Sequence, residues 1–403
     1  MGVRRWRLAG GLVYDVEAGR FERLDASVGG ERIENLARPS RPPSGESVVD
    51  ATGLFLLPGL IDCHVHLVMA SEDPDPSANS GRPDGTIALQ AMRAAERTLL
   101  AGITTVRDVG GWNYLEMALR DAIDRGLRIG PRLYLAGRLL SVAAGGAEYY
   151  PGMYEVAEGI DQVRLAVRKQ LSHGADLIKV MATGAMLSPE SEDARAVQFS
   201  PEELRAVVQK AEHSGKHVAA HAHAAQGIRN AVEAGVSSIE HGTFADEPTL
   251  RLMADRGTFL VPTLSPSEAL LADREFAQSM PEHLRARLIQ TRETHVETMR
   301  MAHRTGVPIA MGTDAGTPAN QHGQNPQECV FMVQEMGMSP DEAILASTLN
   351  PARLLRRESD LGAIRPGTYA DLIGCRSNPL EDITELTRVV LVVKGGAVFK
   401  GQA

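Results

Sequence analysis

Short apolar runs alternate with amphipathic stretches through the middle of the chain. The amphipathic stretches predict helices: Ile87–Ala101 is rich in Ala, Leu and Arg, and Pro201–Ser214 follows Ser200 as N-cap with Glu203 at the capping-box position. The apolar runs are typical of parallel strands covered on both faces. The candidate strands are Leu60–His66, Thr104–Asp108, Arg132–Gly137, Asp176–Met181, His217–His223, Ser237–His241, Thr258–Leu264 and Pro308–Asp314.

Eight such strands with helical connections predict an α/β fold, a (β/α)8 TIM-like barrel over residues 58–364. The competing architecture, a doubly wound sheet, would need a phosphate-binding GxGxxG after its first strand, and the sequence has none there.

The two ends of the chain differ from the middle, because short β-type runs there are broken by Gly and Pro. Near the C-terminus, Val389–Val393 and Ala397–Phe399 flank a Gly-Gly pair that is typical of a hairpin. We expect residues 1–57 and 365–403 to pair as one small β-sandwich domain beside the barrel, since chain termini often lie close together.

Composition excludes several function classes. The net charge of −9 disfavours nucleic acid or an anionic membrane as the main partner. Three scattered cysteines cannot build a disulfide framework, and neither a signal peptide nor an apolar run of membrane-spanning length is evident. We therefore expect a cytoplasmic protein.

Polar residues with metal-binding side chains stand at the ends of five candidate strands. His64 and His66 are two residues apart in a strand, so both imidazoles project to one face and can bind one divalent ion. Alone, such a pair is a weak signal, because two hydrogen-bonded polar residues at a strand end would look the same. The repetition at further strand ends is harder to explain as packing; these positions are Lys179, His221, His241 and Asp314.

At this point the chain resembles the amidohydrolase superfamily of metal-dependent barrel hydrolases. Residues 57–66, LPGLIDCHVH, are similar to the opening signature of that superfamily, and residues 175–189, 239–243, 309–316 and 367–375 follow its order. The resemblance covers nearly the whole chain. It implies two divalent metal ions, expected to be zinc, held by six ligands: His64, His66, Lys179, His221, His241 and Asp314.

Lys179 stands in an apolar run, where burial of an ammonium is costly and favours the neutral amine. The resemblance implies that this amine takes up carbon dioxide to form a carbamate that bridges the metals. A lysine whose stem is buried and whose amine reaches water is the structural alternative. The resemblance also implies that a bridging hydroxide attacks the substrate carbonyl, with His241 and Asp314 as catalytic residues and Asp314 as proton shuttle.

His221 and His223 share one strand face, so periodicity leaves open which of them is the ligand. The superfamily spacing to the next histidine favours His221 and makes His223 a substrate contact. Further substrate-binding candidates are His322, in a loop after the eighth strand, and Tyr149 and Tyr150 after the third. Arg107 and Asp108 are weaker candidates, expected on a loop after the second strand.

The resemblance also bears on the reaction. Deaminases of the superfamily carry a glutamate three residues after the fifth-strand histidine, where this chain has Ala224. The whole-chain pattern is similar instead to the branch of Xaa-Pro dipeptidases, N-acyl-amino-acid carboxypeptidases and ochratoxin-type amidases. One departure is Ala147, at the position of a loop histidine that many of these enzymes carry.

We therefore predict an amide hydrolase for dipeptides or N-acyl amino acids with a free carboxylate, and expect a homo-oligomer that binds neither nucleic acid nor membrane. Hydrolysis of lactones, carbamates or organophosphate esters on the same site is the alternative. A non-catalytic scaffold is disfavoured, because all six ligand positions are intact.

Overall fold

The structure is a computed structural model that describes residues 5–41 and 45–401. Strands alternate with helices through its middle. The strands are β1 Arg5–Ala9, β2 Leu12–Asp15, β3 Arg20–Arg23, β4 Asp25–Gly29, β5 Arg32–Ala37, β6 Ser47–Asp50, β7 Phe55–Pro58, β8 Leu60–Val65, β9 Ile103–Asp108, β10 Arg132–Leu135, β11 Leu139–Ser141, β12 Tyr154–Val156, β13 Ile178–Met181, β14 Val218–Ala224, β15 Ser238–Phe244, β16 Phe259–Val261, β17 Leu372–Cys375, β18 Leu391–Lys394 and β19 Ala397–Lys400. The α-helices are α1 Asp84–Leu100, α2 Leu115–Asp124, α3 Gly145–Tyr149, α4 Ile160–Ser172, α5 Pro201–Glu212, α6 Ala225–Ala234, α7 Glu247–Arg256, α8 Ser265–Ala272, α9 Arg274–Ser279, α10 Glu282–Thr305, α11 Gln327–Gln334, α12 Pro340–Ser347 and α13 Leu349–Leu354. Two 3₁₀-helices span Pro76–Gly81 and Ile383–Arg388.

Two parallel sheets form the centre of the molecule. One has the strand order β10-β9-β8 and the other the order β12-β11-β13-β14-β15-β16. Within each sheet the carboxyl ends of the strands lie at the same edge, so side chains just after the strands can meet there. Most apolar residues of these strands and of the surrounding helices form one large buried cluster, and smaller clusters include Ile61 and Cys63 of β8 and Ala219 of β14.

The predicted strand Pro308–Asp314 has a less regular conformation. It bridges β16 through Leu260 and Ile309, and its Met311 carbonyl accepts a hydrogen bond from the Cys63 N–H of β8 at 2.8 Å. At the other side, the Asp176 N–H donates to the Leu135 carbonyl of β10 at 2.7 Å. Backbone hydrogen bonds therefore connect β8 and β10, the two edge strands of the three-stranded sheet, to segments that adjoin the six-stranded sheet.

Local sequence signals explain where several helices begin and end. Ser200 and Glu203 form the predicted capping box at the start of α5, since each side chain accepts from the other residue's backbone N–H. Helices α6 and α10 end at Gly235 and Gly306, with φ values of 97° and 79°. Glycine adopts this left-handed conformation without steric cost, which ends the helix before the next strand.

Strands from both ends of the chain share one sheet of order β19-β18-β17-β7-β2-β3, and a second sheet has the order β5-β4-β1-β6. The junction is the antiparallel pairing of β7 with β17. Both sheets contribute to one apolar cluster, which includes Trp6 and Val28 from one sheet and Leu56 and Leu372 from the other. The hairpin β18–β19 turns at the Gly395-Gly396 pair.

None of the helices in residues 5–41 and 45–401 combines the length and the apolar character needed to cross a membrane.

Candidate metal centre

The six predicted ligands lie around one cavity. His64, His66 and Asp314 form one group, with a potential ligand atom of each within 4.8 Å of the others. His221, His223 and His241 form a second group by the same measure. The two groups meet where the rings of His64 and His241 lie 4.9 Å apart, centroid to centroid.

Asp314 links the two histidines of the first strand. Its Oδ1 atom lies 3.3 Å from Nε2 of His64 and 3.4 Å from Nε2 of His66. Those nitrogens therefore point toward a shared carboxylate oxygen, which is the arrangement expected around a divalent ion.

In four of the histidines, one ring nitrogen is held by a neighbour and the other is available. Nδ1 of His64 lies 2.8 Å from a Glu240 oxygen, and Nδ1 of His66 lies 3.0 Å from the Gly110 carbonyl. Nε2 of His221 lies 3.1 Å from the Gly184 carbonyl, and Nδ1 of His241 lies 2.7 Å from Oγ1 of Thr263. A metal-ligating histidine usually donates its second N–H in this way, so the donor set fits metal ions.

Burial keeps the imidazoles of His66, His221, His223 and His241 neutral. It lowers the pKa of His66 to about 4 and of His223 to about 3, and it lowers the pKa of His221 and His241 well below the usual range. A neutral ring nitrogen offers the lone pair that a metal requires, so these side chains can act as ligands at neutral pH.

Lys179 lies in β13 and lines the same cavity, with 1% of its surface exposed. Burial lowers the pKa of its amine to about 8. Among the described residues, no carboxylate lies within salt-bridge distance of this nitrogen. The lowered pKa gives this amine a larger neutral, nucleophilic fraction at neutral pH than an ordinary lysine has, and carbamate formation requires that neutral form.

A buried charge network lies behind His64. Glu240 of β15 accepts from Arg107 Nη2 at 2.8 Å and from Ser238 Oγ at 2.5 Å, while its other oxygen faces His64. Burial alone would raise the pKa of Glu240, but the Arg107 charge and the His64 hydrogen bond hold it below its usual range. Arg107 was expected on a loop; it is instead a fully buried residue of β9 that also donates to the Cys63 carbonyl.

Two further buried aspartates fix the backbone around the ligands. Asp62 accepts from the backbone N–H groups of His64 and Thr313. Asp108 accepts from the N–H groups of Leu67 and Gly110, next to the carbonyl that holds His66. These carboxylates therefore position the ligand-bearing segments.

The site also concentrates unusual backbone conformations. His241, Thr263 and Asp314 have φ values of 69°, 53° and 57°, a region that residues other than glycine rarely occupy. Strained backbone that persists at a cluster of polar side chains is common at functional sites, because the surrounding structure enforces a required side-chain direction.

The predicted substrate contacts fall in different places. His223 and Tyr150 line the cavity, and the Tyr150 hydroxyl donates to the Leu187 carbonyl at 2.6 Å. Tyr149 lies outside the lining residues, with its hydroxyl donating to Asp75. His322 is buried behind His66, where its Nε2 lies 3.2 Å from the His66 carbonyl, so it contacts a ligand-bearing segment rather than the cavity.

These geometric observations agree with the comparisons with known proteins. A profile described as Amidohydrolase family matches residues 55–399. The chain belongs to the amidohydrolase family.

Individual amidohydrolases are also similar to this chain in sequence and in structure. Ochratoxinase of Aspergillus niger is 34% identical over 375 residues, covering 86% of this chain and 76% of the relative. A Xaa-Pro dipeptidase crystal structure with bound methionine is 35% identical, with a TM-score of 0.90 over 98% of this chain and 100% of that chain. A prolidase complexed with N-methylphosphonate-L-proline is 30% identical, with a TM-score of 0.90 over 99% and 100% of the two chains. The fold of this amidohydrolase is therefore of the TIM-barrel type, and the protein is a hydrolase.

Part of the cavity wall comes from residues that the sequence analysis missed. Four positions of α10 spaced as one helix face line the cavity: Leu288, Thr291, Arg292 and His295. Their helical spacing could have indicated that they share one face of a helix. In the sequence, however, a helix face that lines a cavity has the same spacing as one that packs against a core. Glu240 was also missed, although it directly precedes the predicted ligand His241.

The rest of the wall is largely apolar. Four methionines line it, together with leucines and two stacked tyrosines, Tyr150 and Tyr154. Methionine adapts its shape to irregular apolar partners, so this wall suits a hydrophobic group of the substrate. The methionines are Met69, Met153, Met181 and Met186.

Proposed function

We propose that this protein is a binuclear metal-dependent amidase that hydrolyses dipeptides or N-acyl amino acids at the amide next to a C-terminal amino acid. The observation that supports this most is the pair of ligand groups, His64, His66 and Asp314 beside His221 and His241, around the buried amine of Lys179. Relatives named ochratoxinase and Xaa-Pro dipeptidase support the substrate class.

Two zinc ions would be held by these residues, with Lys179 in its carbamate form. Bound divalent ions activate water and polarise a carbonyl oxygen. The ring nitrogens left free by the Glu240, Gly110, Gly184 and Thr263 contacts would supply the donor atoms. The same proposal includes closure of the two parallel sheets into a (β/α)8 barrel and a β-sandwich domain formed by the two chain ends.

Asp314 would move the proton. Its carboxylate is 13% exposed and lies within 3.4 Å of both first-strand histidines, so it faces the cavity at the ligand groups. There it can take a proton from the attacking water and deliver it to the leaving nitrogen. The carboxylate accepts at one step and donates at the next, which an amide in its place cannot do.

The substrate carboxylate would be recognised by Arg292, the guanidinium that lines the cavity. Arg292 Nε donates to a Glu268 carboxylate oxygen at 2.7 Å, and Arg292 Nη2 lies 3.2 Å from a Glu335 carboxylate oxygen. These two carboxylates fix the direction of the planar group and leave Nη1 for a ligand. The apolar methionine and tyrosine wall would contact the hydrophobic part of the substrate.

Amino-acid release from a panel of dipeptides and N-acyl amino acids tests the proposal. Zinc-reconstituted protein is compared with Asp314→Asn as the blank. We expect release confined to one class of hydrophobic substrates that carry a free carboxylate, and a raised KM in Arg292→Met. The matched control is Arg304→Met, an exposed arginine of the same helix that pairs with Glu297. Absence of release from protein with two bound zinc ions would contradict the amidase assignment and favour lactones, carbamates or organophosphate esters.

A further inference from the structure

A chain of hydrogen bonds runs from the cavity to the backbone beyond it. Nδ1 of His223 lies 2.9 Å from Oγ1 of Thr243, which lies 3.3 Å from Nδ1 of His295 on α10. Nε2 of His295 lies 2.8 Å from the Pro262 carbonyl oxygen. All three side chains line the cavity, and none of them belongs to the six predicted ligands.

The hydrogen positions in this series of hydrogen bonds follow from its last contact, which is to the Pro262 carbonyl oxygen. A carbonyl oxygen only accepts, so Nε2 of His295 carries a hydrogen and donates it to Pro262. A neutral His295 then has a bare Nδ1, to which the single hydroxyl hydrogen of Thr243 is donated. The Thr243 oxygen must therefore accept from His223, so Nδ1 of His223 carries the hydrogen and its Nε2 is bare.

Burial supports the neutral state that this assignment needs. It lowers the pKa of His295 to about 4. His223 is 4% exposed and its ring faces the Thr243 hydroxyl rather than a carboxylate, so a charged ring there would be buried without a counter-ion. Both rings are therefore uncharged at neutral pH, and each carries one hydrogen.

We infer that His295 and Thr243 are positioning residues that hold His223 as a hydrogen-bond acceptor facing the cavity. His223 in this state cannot donate to a substrate carbonyl oxygen. It can accept from a substrate N–H, because its Nε2 lone pair has no partner among the described residues.

An acceptor at His223 would also affect substrate choice, provided that the proposed amidase function holds. The amide of an N-acyl amino acid is secondary and offers one N–H, whereas the amide of a Xaa-Pro dipeptide is tertiary and offers none. An acceptor at His223 thus favours secondary amides over tertiary ones.

The tautomer can be measured without any substrate. Long-range ¹H–¹⁵N spectra of zinc-loaded protein with ¹⁵N-labelled histidine are recorded, and the His223 signals are assigned by their loss in His223→Gln. We expect a hydrogen on Nδ1 and none on Nε2. Thr243→Val removes the hydroxyl at nearly constant shape and should give a mixture of tautomers, while Thr243→Ser keeps the hydroxyl and should match the native spectrum. A hydrogen on Nε2 in the native protein, or an unchanged tautomer in Thr243→Val, would overturn the inference.

Kinetics with a matched substrate pair test the consequence. N-acetyl-L-phenylalanine should exceed its N-methyl analogue in kcat/KM by about tenfold, equivalent to about 1.4 kcal/mol. Thr243→Val should lose this ratio while Thr243→Ser keeps it, with two zinc ions bound in each variant. If Thr243→Val and the native protein had the same ratio of kcat/KM for the two substrates, the inferred preference for secondary amides would be overturned. If neither compound is hydrolysed but the tautomer is as expected, the amidase proposal fails and the positioning role stands.

Discussion

The buried pair of Arg107 and Glu240 allows a quantitative prediction. Both side chains are 0% exposed, and they meet at 2.8 Å behind the proposed ligand His64. Glu240→Gln leaves the Arg107 charge without its counter-ion, and breaking a buried pair in this way costs about 3–5 kcal/mol. We therefore expect the free energy of unfolding of the metal-free protein to fall by about this amount.

The same substitution should weaken zinc binding through His64. The glutamine amide would accept from Arg107 with its oxygen and place its NH₂ group against Nδ1 of His64. His64 then carries its hydrogen on Nε2, the nitrogen that faces Asp314. Loss of such a supporting carboxylate costs about 10- to 100-fold in metal affinity.

A double-mutant cycle separates the two effects. Urea unfolding in EDTA is measured for Glu240→Gln, for Arg107→Met and for the double variant, and zinc affinity is measured separately by titration with a competing chelator. Because the double variant leaves no lone buried charge, it should cost at least about 2 kcal/mol less than the sum of the single costs. Additive costs, or a Glu240→Gln cost below about 1 kcal/mol, would refute the argument.

Three further predictions use other features of the structure. Lys179→Ala should bind fewer than two zinc ions per chain by elemental analysis, because one of the six proposed ligands is lost; full occupancy of both sites would contradict this. Burial raises the pKa of Glu116 to about 8. Between about pH 4.3 and pH 8 the folded state therefore keeps a proton on Glu116 that the unfolded state has released. The free energy of unfolding should fall over this range by up to about 1.4 kcal/mol per pH unit. In urea unfolding, the free energy of unfolding of Glu116→Gln should fall less between pH 6 and pH 8 than that of the native protein. An equal fall in the two proteins would refute this. A Cβ added at Gly312 would lie 2.8 Å from the Cβ atom of His64, so Gly312→Ala should displace His64 and weaken zinc binding. Gly85→Ala is the control, because a Cβ there has no other atom within 4 Å and zinc affinity should not change. Equal zinc affinities of the two variants would contradict the steric argument.

Much of the candidate metal centre could be predicted because its residues follow local periodicity and lie in segments that resemble the amidohydrolase motifs. His64 and His66 share a strand face, and the other ligands stand in or just after short apolar runs, where parallel strands bring them to one edge. The six-residue set assembled around one cavity as a consequence of that rule. Its assignment to metal ions stays a prediction until occupancy is measured.

Contacts between distant segments were not predictable. Glu240 looks like any polar residue before a histidine, and only the packing of β15 opposite β8 and β9 shows that it pairs with Arg107 and His64. His295 lies in the middle of a 24-residue helix, with no motif to distinguish it. His322 was expected near substrate, but the fold of its loop buries it behind His66.

The sequence by itself determined the alternation of strands and helices, the pairing signal at the hairpin of the C-terminal end, and the chemical types of the ligands. These depend on side-chain periodicity and on residue chemistry, which act over a few positions. The tertiary structure alone decided which ring nitrogen of each histidine is free, which carboxylates support them, and which helix closes the cavity. Those features depend on atoms brought within 3–4 Å of each other from segments far apart in the chain, and hydrogen-bond direction is fixed only at that range.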